Sequence, residues 1–278
     1  MEKPKMKTNA FIRRYLRIIV SGVMLLIIIF VAVFAPLIAT HDPNSINMYD
    51  AVTPPGDAHL MGTDSFGRDI FSRIIYGARI SLVISIAVNI SSVVIGTVLG
   101  LITGYFRMSD LIITRILEGI NALPTLLLAI VMVTVMGAGV GKLIICLSVV
   151  NLPSIARLVR SQVLSIKEKE HIECARASGA SNFRIIFKYV FPLSLSPLII
   201  RFTSGLSSTI LTQASLSFLG VGLDPRIPSW GGIISEGRAY VMVHPYMCIY
   251  AGIAIVVTVL AFSIMGDGVR DILDPKLR

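Results

Sequence analysis

The stretch IIVSGVMLLIIIFVAVFAPLIAT, from Ile18 to Thr40, carries no charged side chain. Crossing a hydrocarbon core of about 30 Å takes roughly 20 residues of helix, so this run is long enough to span one. Further apolar runs follow at roughly Ile80–Phe106, Ile113–Met136, Lys142–Leu158, Val190–Leu216 and Tyr246–Ile264. In lipid every backbone polar group needs a partner within the protein, which leaves helices or closed barrels. The runs are continuous and lack the alternation of about 10-residue barrel strands. The expected fold is therefore an all-α polytopic membrane protein with six transmembrane helices. Composition agrees: 54% of the 278 residues are hydrophobic and 15% are charged, outside the range of soluble domains.

Basic residues set the orientation. Lys3, Lys5, Lys7, Arg13, Arg14 and Arg17 precede the first run, Arg107 and Arg115 follow the second, and seven more lie between Arg157 and Lys188. With three in the C-terminal tail, 18 of the 25 Lys and Arg fall on one side of a six-helix chain with both termini in the cytoplasm. Short cytoplasmic loops carry this excess. The formal charge of +9 is thus assigned to topology and lipid headgroups, with no nucleic-acid partner. The first run exceeds a signal-peptide core, and Pro36 sits awkwardly for cleavage, so it is expected to remain as a helix.

Several apparent chemical motifs fail on inspection. MGAGVGKL from Met136 has Met where a phosphate loop begins with Gly, and Leu143 where magnesium needs Ser or Thr. GTDSFGRD contains Asp64 and Asp69 but lacks the ligand alternation and closing Glu of a calcium loop. Cys146, Cys174 and Cys248 are far apart, which argues against a disulfide framework or a zinc site. His41, His59 and His244 fall on outer loops and are expected to be solvated rather than metal-binding. There is no HExxH and no Ser/His constellation. No catalytic, cofactor or metal residue is expected.

Gly96, Gly100 and Gly104 line one face of the second helix, a small-residue pattern that serves either static packing or a moving contact. Pro124, Pro153, Pro192 and Pro197 begin or interrupt helices. Glu118 is placed to pair with Arg115, three residues earlier. Arg201 lies about 15 Å along the fifth helix, where a charge faces a cavity or a partner rather than lipid.

One hydrophilic segment stands between the fourth and fifth runs. SQVLSIKEKEHIECARAS reads as a helix from Ser161, ended by Gly179, with Ser181 capping a second helix NFRIIFKYVF that leads to Pro192. Ala175, Ala177, Ser178, Gly179 and Ala180 form a tip too small to hold a core of its own but suited to a close fit in a partner's groove. Glu173 and Arg176 flank it, spaced to pair with each other or with partner charges.

ECARASGASNFRIIFKYVFP resembles the coupling motif of the membrane subunits of bacterial ABC importers. Glu173, Ala175, Gly179 and Pro192 match its pattern, and Cys174 stands for the first Ala. HLMGTDSFGRDIFSRIIYGARISL, LSFLGVGLDPRIPSWGGIISEGR and the tail GDGVRDILDPKLR resemble the C-type permease of dipeptide, oligopeptide and nickel importers, over nearly the whole chain.

The resemblance implies a type I importer (MetI-like) transmembrane domain in a bacterial cytoplasmic membrane, with residues 1–79 as tail, first helix and outer loop, residues 80–278 as the permease domain, and residues 161–189 as the coupling segment. It implies a heterodimer with a B-type permease, two cytoplasmic ATPases that bind ATP and magnesium, and an extracytoplasmic substrate-binding protein. Glu173, Cys174, Ala175, Arg176, Ala177, Gly179 and Ala180 would contact an ATPase. Relatives often carry an acid in the fifth helix ahead of LSFLG, where this chain has Gln213. Gln213 and Arg201 are the candidate residues of the translocation path, and Arg201 fits either a peptide carboxylate or the sister permease. Peptides are the expected substrate. Nickel or a metal chelate is the alternative, and an ATP-independent channel or secondary transporter is the competing class.

Overall fold

The computed structural model describes the backbone of residues 5–273 and the side chains of residues 16–273. Lys3, the side chains of Lys5, Lys7, Arg13 and Arg14, and the C-terminal Lys276 and Arg278 lie outside the described residues.

Five helices are long and apolar enough to cross a membrane: α1 (Lys5–Val33), α3 (Ile70–Tyr105), α6 (Val140–Lys167), α9 (Phe191–Phe218) with the helical turns that precede it, and α11 (Tyr246–Leu273). A short α2 (Ala35–Ile38) follows α1. The third apolar run, expected as one span over 113–136, is instead two helices, α4 (Arg107–Asn121) and α5 (Thr125–Met136), bent by 91°. Pro124 is the cause. It has no N–H to continue the ladder and steers the preceding residue away from helical angles; its own ψ is 132°. Counting this bent pair as one, the chain has up to six spans.

The outer loop is shorter than the polar segment expected over 41–79. α3 begins at Ile70, where Asp69 caps it by accepting from the Ser72 N–H at 2.8 Å. Its 36 residues run about 54 Å, well beyond a core of about 30 Å. Pro153 lies inside α6 without ending it.

The hydrophilic segment also departs from a single helix. α6 ends at Lys167, Glu168 and Lys169 turn the chain, and α7 (Glu170–Ala177) follows. Ile166 and Ile172 explain the break. Six residues apart, they would point about 120° apart on a straight helix, yet both are buried in one cluster with Val163, Ile185, Ile186 and Val190. α8 (Asn182–Ile185) then passes through a π turn (Ile186–Val190) directly into α9. Pro192 falls where the π turn passes into α9, a wider turn that accommodates its missing N–H.

α3 is the central helix, and its contact with α6 is the most extensive in the fold. α9 packs on α11 and α3, and α1 on α11. A short α10 (Trp230–Gly237) wedges between α3, α9 and α11, with the Trp230 indole N–H donating to the Ile74 carbonyl at 3.0 Å. Outward-facing apolar side chains such as Leu26, Phe30, Val94, Ile253 and Val256 remain exposed on the bundle. That is the surface expected of helices solvated by lipid or a partner helix.

Candidate coupling surface and translocation path

The candidate coupling segment is a helical knob with a small tip. The Ala180 N–H donates to the Ala175 carbonyl and the Gly179 N–H to the Arg176 carbonyl, both at 3.0 Å, which is a Schellman closure of α7. It requires the left-handed conformation, and Gly179 has φ of +80°. Ser181 then caps α8, accepting from the Arg184 N–H at 3.3 Å. Both turns were legible in the sequence.

Ile172 and Ile185 are fully buried and anchor α7 and α8 to the bundle. Burial of one such side chain is worth about 1.5–3 kcal/mol relative to exposure in water. Glu173, Cys174, Arg176, Ala177 and Gly179 are exposed, and Ala175 and Ala180 are half-buried. Among the described residues neither Glu173 nor Arg176 makes an ion pair, so their charges face outward together. The Tyr105 hydroxyl donates to Asn182 Oδ1 at 2.7 Å, and Lys167 Nζ to the Gly104 carbonyl at 3.3 Å, tying the knob to the inner end of α3. Helical turns run unbroken from Asn182 to Phe218, so α8 and α9 form one continuous rod. The π turn that makes this join had no signature in the sequence.

The candidate path residues are not placed alike. Arg201 is half-buried, with Nη2 donating to Ser154 Oγ on α6 at 3.0 Å, one residue beyond Pro153. A cleft of about 120 Å³ lies nearer the cytoplasmic end, lined by Thr114, Glu118, Pro153, Arg157 and Arg160. Arg160 grips Asp110 of α4 through two bonds of 2.6 and 2.7 Å, and Arg115 meets Glu118 at 3.2 Å. Gln213, in contrast, is 2% exposed and enclosed between helices, with Oε1 unbonded among the described residues.

On the outer side, four charges close a network that sequence reading missed. Arg68 bonds Asp64 at 2.7 Å and Glu236 at 2.5 Å, and Arg73 lies 3.3 Å from Glu236. Arg73 is 1% exposed and Asp64 4%. The motif GTDSFGRD is therefore a structural latch onto α10. Glu236 is more than 160 positions from Arg68, so no local spacing announces the pair. Burial pushes the Asp69 carboxyl up, but hydrogen bonds from Ser72 and His59 outweigh it and hold the group below its ordinary range.

This geometry has counterparts. Residues 92–278 match the family described as binding-protein-dependent transport system inner membrane component. Residues 17–55 match the N-terminal transmembrane domain of oligopeptide transport permease C. The chain belongs to this family of transport permeases. It is 41% identical over 273 residues to the glutathione transport system permease protein GsiD of Pectobacterium atrosepticum, covering 96% of this chain and 91% of that one. It is also 41% identical over 261 residues to the dipeptide transport system permease protein DppC of Alkalihalophilus pseudofirmus, covering 94% and 86%. The permease fold is seen in an inward-facing form of the MetNI methionine ABC transporter, with a TM-score of 0.62 at 20% identity over 74% of this chain and 98% of that one.

Proposed function

We propose that the chain is the C-type permease subunit of an ABC importer that carries di- or oligopeptides into the cytoplasm across a bacterial inner membrane. The observation that carries this reading is the exposed α7 tip, followed by helical turns that run unbroken from Asn182 into α9, in a chain whose relatives at 41% identity are named glutathione and dipeptide transport permeases. A B-type permease completes the pathway, two ATPases seat the knobs, and an external binding protein delivers the peptide. ATP and magnesium are bound by the ATPases. This chain supplies no catalytic group and transmits their closure.

The mechanism follows from the knob's attachments. Closure of the ATPases moves α7 and α8 as one piece, because Ile172 and Ile185 share a buried cluster. α9 moves with them, because helical turns run unbroken from Asn182 to Phe218 and Arg201 bonds Ser154 of α6. The same cluster holds Leu101 of α3 and Val159 and Val163 of α6, so α3, α6 and α9 rock together against the sister permease, which is alternating access. Arg201 offers a positive charge for a peptide carboxylate, whereas Gln213 is enclosed between helices in this conformation.

Purification of the tagged chain in mild detergent, with mass spectrometry of associated proteins and retained small molecules, tests this reading. A second permease, two ATPases and a retained peptide are expected. Recovery of the chain alone, active without ATP, would overturn it.

A further inference from the structure

Three side chains from separate stretches converge at the outer end of α3. His59 Nδ1 lies 2.9 Å from Asp69 Oδ1, and His41 Nδ1 lies 3.8 Å from the same oxygen. One donor atom from each residue falls within 4.8 Å of the others, and the two imidazole rings are 4.7 Å apart. Metal–ligand bonds of about 2.0–2.1 Å in a tetrahedral site set donors about 3.3 Å apart. The two observed separations bracket that value.

The remaining atoms are disposed as a metal site requires. Asp69 spends Oδ2 on the Ser72 N–H, which leaves Oδ1 facing the histidines. The other nitrogen of His59, Nε2, is 4.0 Å from Asp50 Oδ2. That separation is too long for a hydrogen bond, so Asp50 places negative charge near the site without fixing the His59 tautomer. The His41 side chain is 44% exposed, so water reaches a fourth position. His59 Nδ1 is within hydrogen-bond distance of Asp69, whereas His41 Nδ1 meets Thr40 Oγ1 at 3.0 Å and would have to exchange that contact for a metal ion.

We propose that His41, His59 and Asp69 form a resident site for a divalent first-row transition ion, with Zn²⁺ as the reference ion. Two imidazoles and a carboxylate are the donor set that Zn²⁺ takes with one open position. The ion cross-links the segment after α2, the loop before α3 and the first turn of α3. It holds the outer loop in register and is not cargo, and the site stands whether or not the peptide reading holds.

The test uses the full chain with no histidine tag, together with whatever subunits co-purify. Zn²⁺ titration near neutral pH is followed by calorimetry, and Co²⁺ serves as the optical probe of coordination. One Zn²⁺ per chain is expected, displacing Co²⁺ from a four-coordinate site. His41→Ala weakens binding at least about tenfold, the lower end of what loss of a supporting residue already costs, while His244→Ala leaves it unchanged. His41 is a surface residue and does not cap α3, so its removal spares the fold. X-ray absorption of the Zn²⁺-loaded wild type gives a second readout, with two imidazole nitrogens expected in the shell. An all-oxygen shell, no saturable binding, or equal affinity in the His41 and His244 variants would overturn the site.

Discussion

Gly100 of α3 approaches Val159 of α6 so closely that a β-carbon on the glycine would lie 2.5 Å from the valine β-carbon. Gly96 meets Ile155 and Gly104 meets Val163 in the same way, so both helices advance by four residues per contact. Lipid tails are as apolar as leucine, so close packing rather than hydrophobicity holds such a seam. β-branched residues fill each gap, a close fit common to both sequence readings of this stripe.

Gly100→Leu therefore forces α3 and α6 apart. A destabilisation of about 1–3 kcal/mol is expected from overpacking alone, measured as a lower midpoint of thermal unfolding in detergent. Gly119→Ala, where a β-carbon meets nothing within 4 Å, serves as the comparison and shifts the midpoint little.

The outer latch gives a second energetic contrast. Removing Glu236 leaves two buried arginines to share Asp64 alone, and breaking a buried pair costs up to about 3–5 kcal/mol. The exposed Arg115–Glu118 pair, with side chains 82% and 51% accessible, is worth about 0–1 kcal/mol. Glu236→Ala is expected to lower the melting point clearly and Arg115→Ala hardly at all. Equal shifts would contradict the latch.

Cys174 reports on docking directly. It is exposed on α7, whereas Cys146 is buried and Cys248 half-buried. A maleimide reagent should label Cys174 in the isolated chain and should be excluded once the ATPases are bound. Labelling at the same rate in both states would mean that α7 is not the contact surface.

Charge reversal separates docking from folding. Glu173 is exposed and bonded to nothing that holds α7, so Glu173→Lys should leave insertion and melting unchanged while ATPase co-purification falls. Gly179→Ala acts on shape instead: a β-carbon meets no neighbour, but the left-handed backbone costs an L-residue about 1–2 kcal/mol. A weakened knob with partial uptake is expected from it.

Local chemistry made much of this fold legible. The apolar runs, the Gly179 turn, the Ser181 cap and the Arg115–Glu118 pair each depend on residues within a few positions of one another. Pro124 reads as a helix breaker in the sequence, but the 91° bend was hidden, because apolar side chains continue on both sides of it and hydropathy does not register a missing N–H. The break at Glu168 was hidden because Ile166 and Ile172 are helix-compatible, and only their shared burial reveals the turn. Gln213 and the Arg68–Glu236 bond depend on which helices meet. His41 and His59 looked scattered for the same reason, since Asp69 gathers them only through the loop.

The central claim is that α7 carries the work of ATP hydrolysis into α9. The most direct measurement is uptake of a labelled dipeptide into proteoliposomes holding the whole complex, with ATP inside the cytoplasmic compartment, for wild type and for Gly179→Trp. The account predicts ATP-dependent uptake that is lost in the variant while the chain stays inserted and Arg201 still lies beside Ser154. Uptake without ATP, or uptake undiminished in the variant, would contradict it.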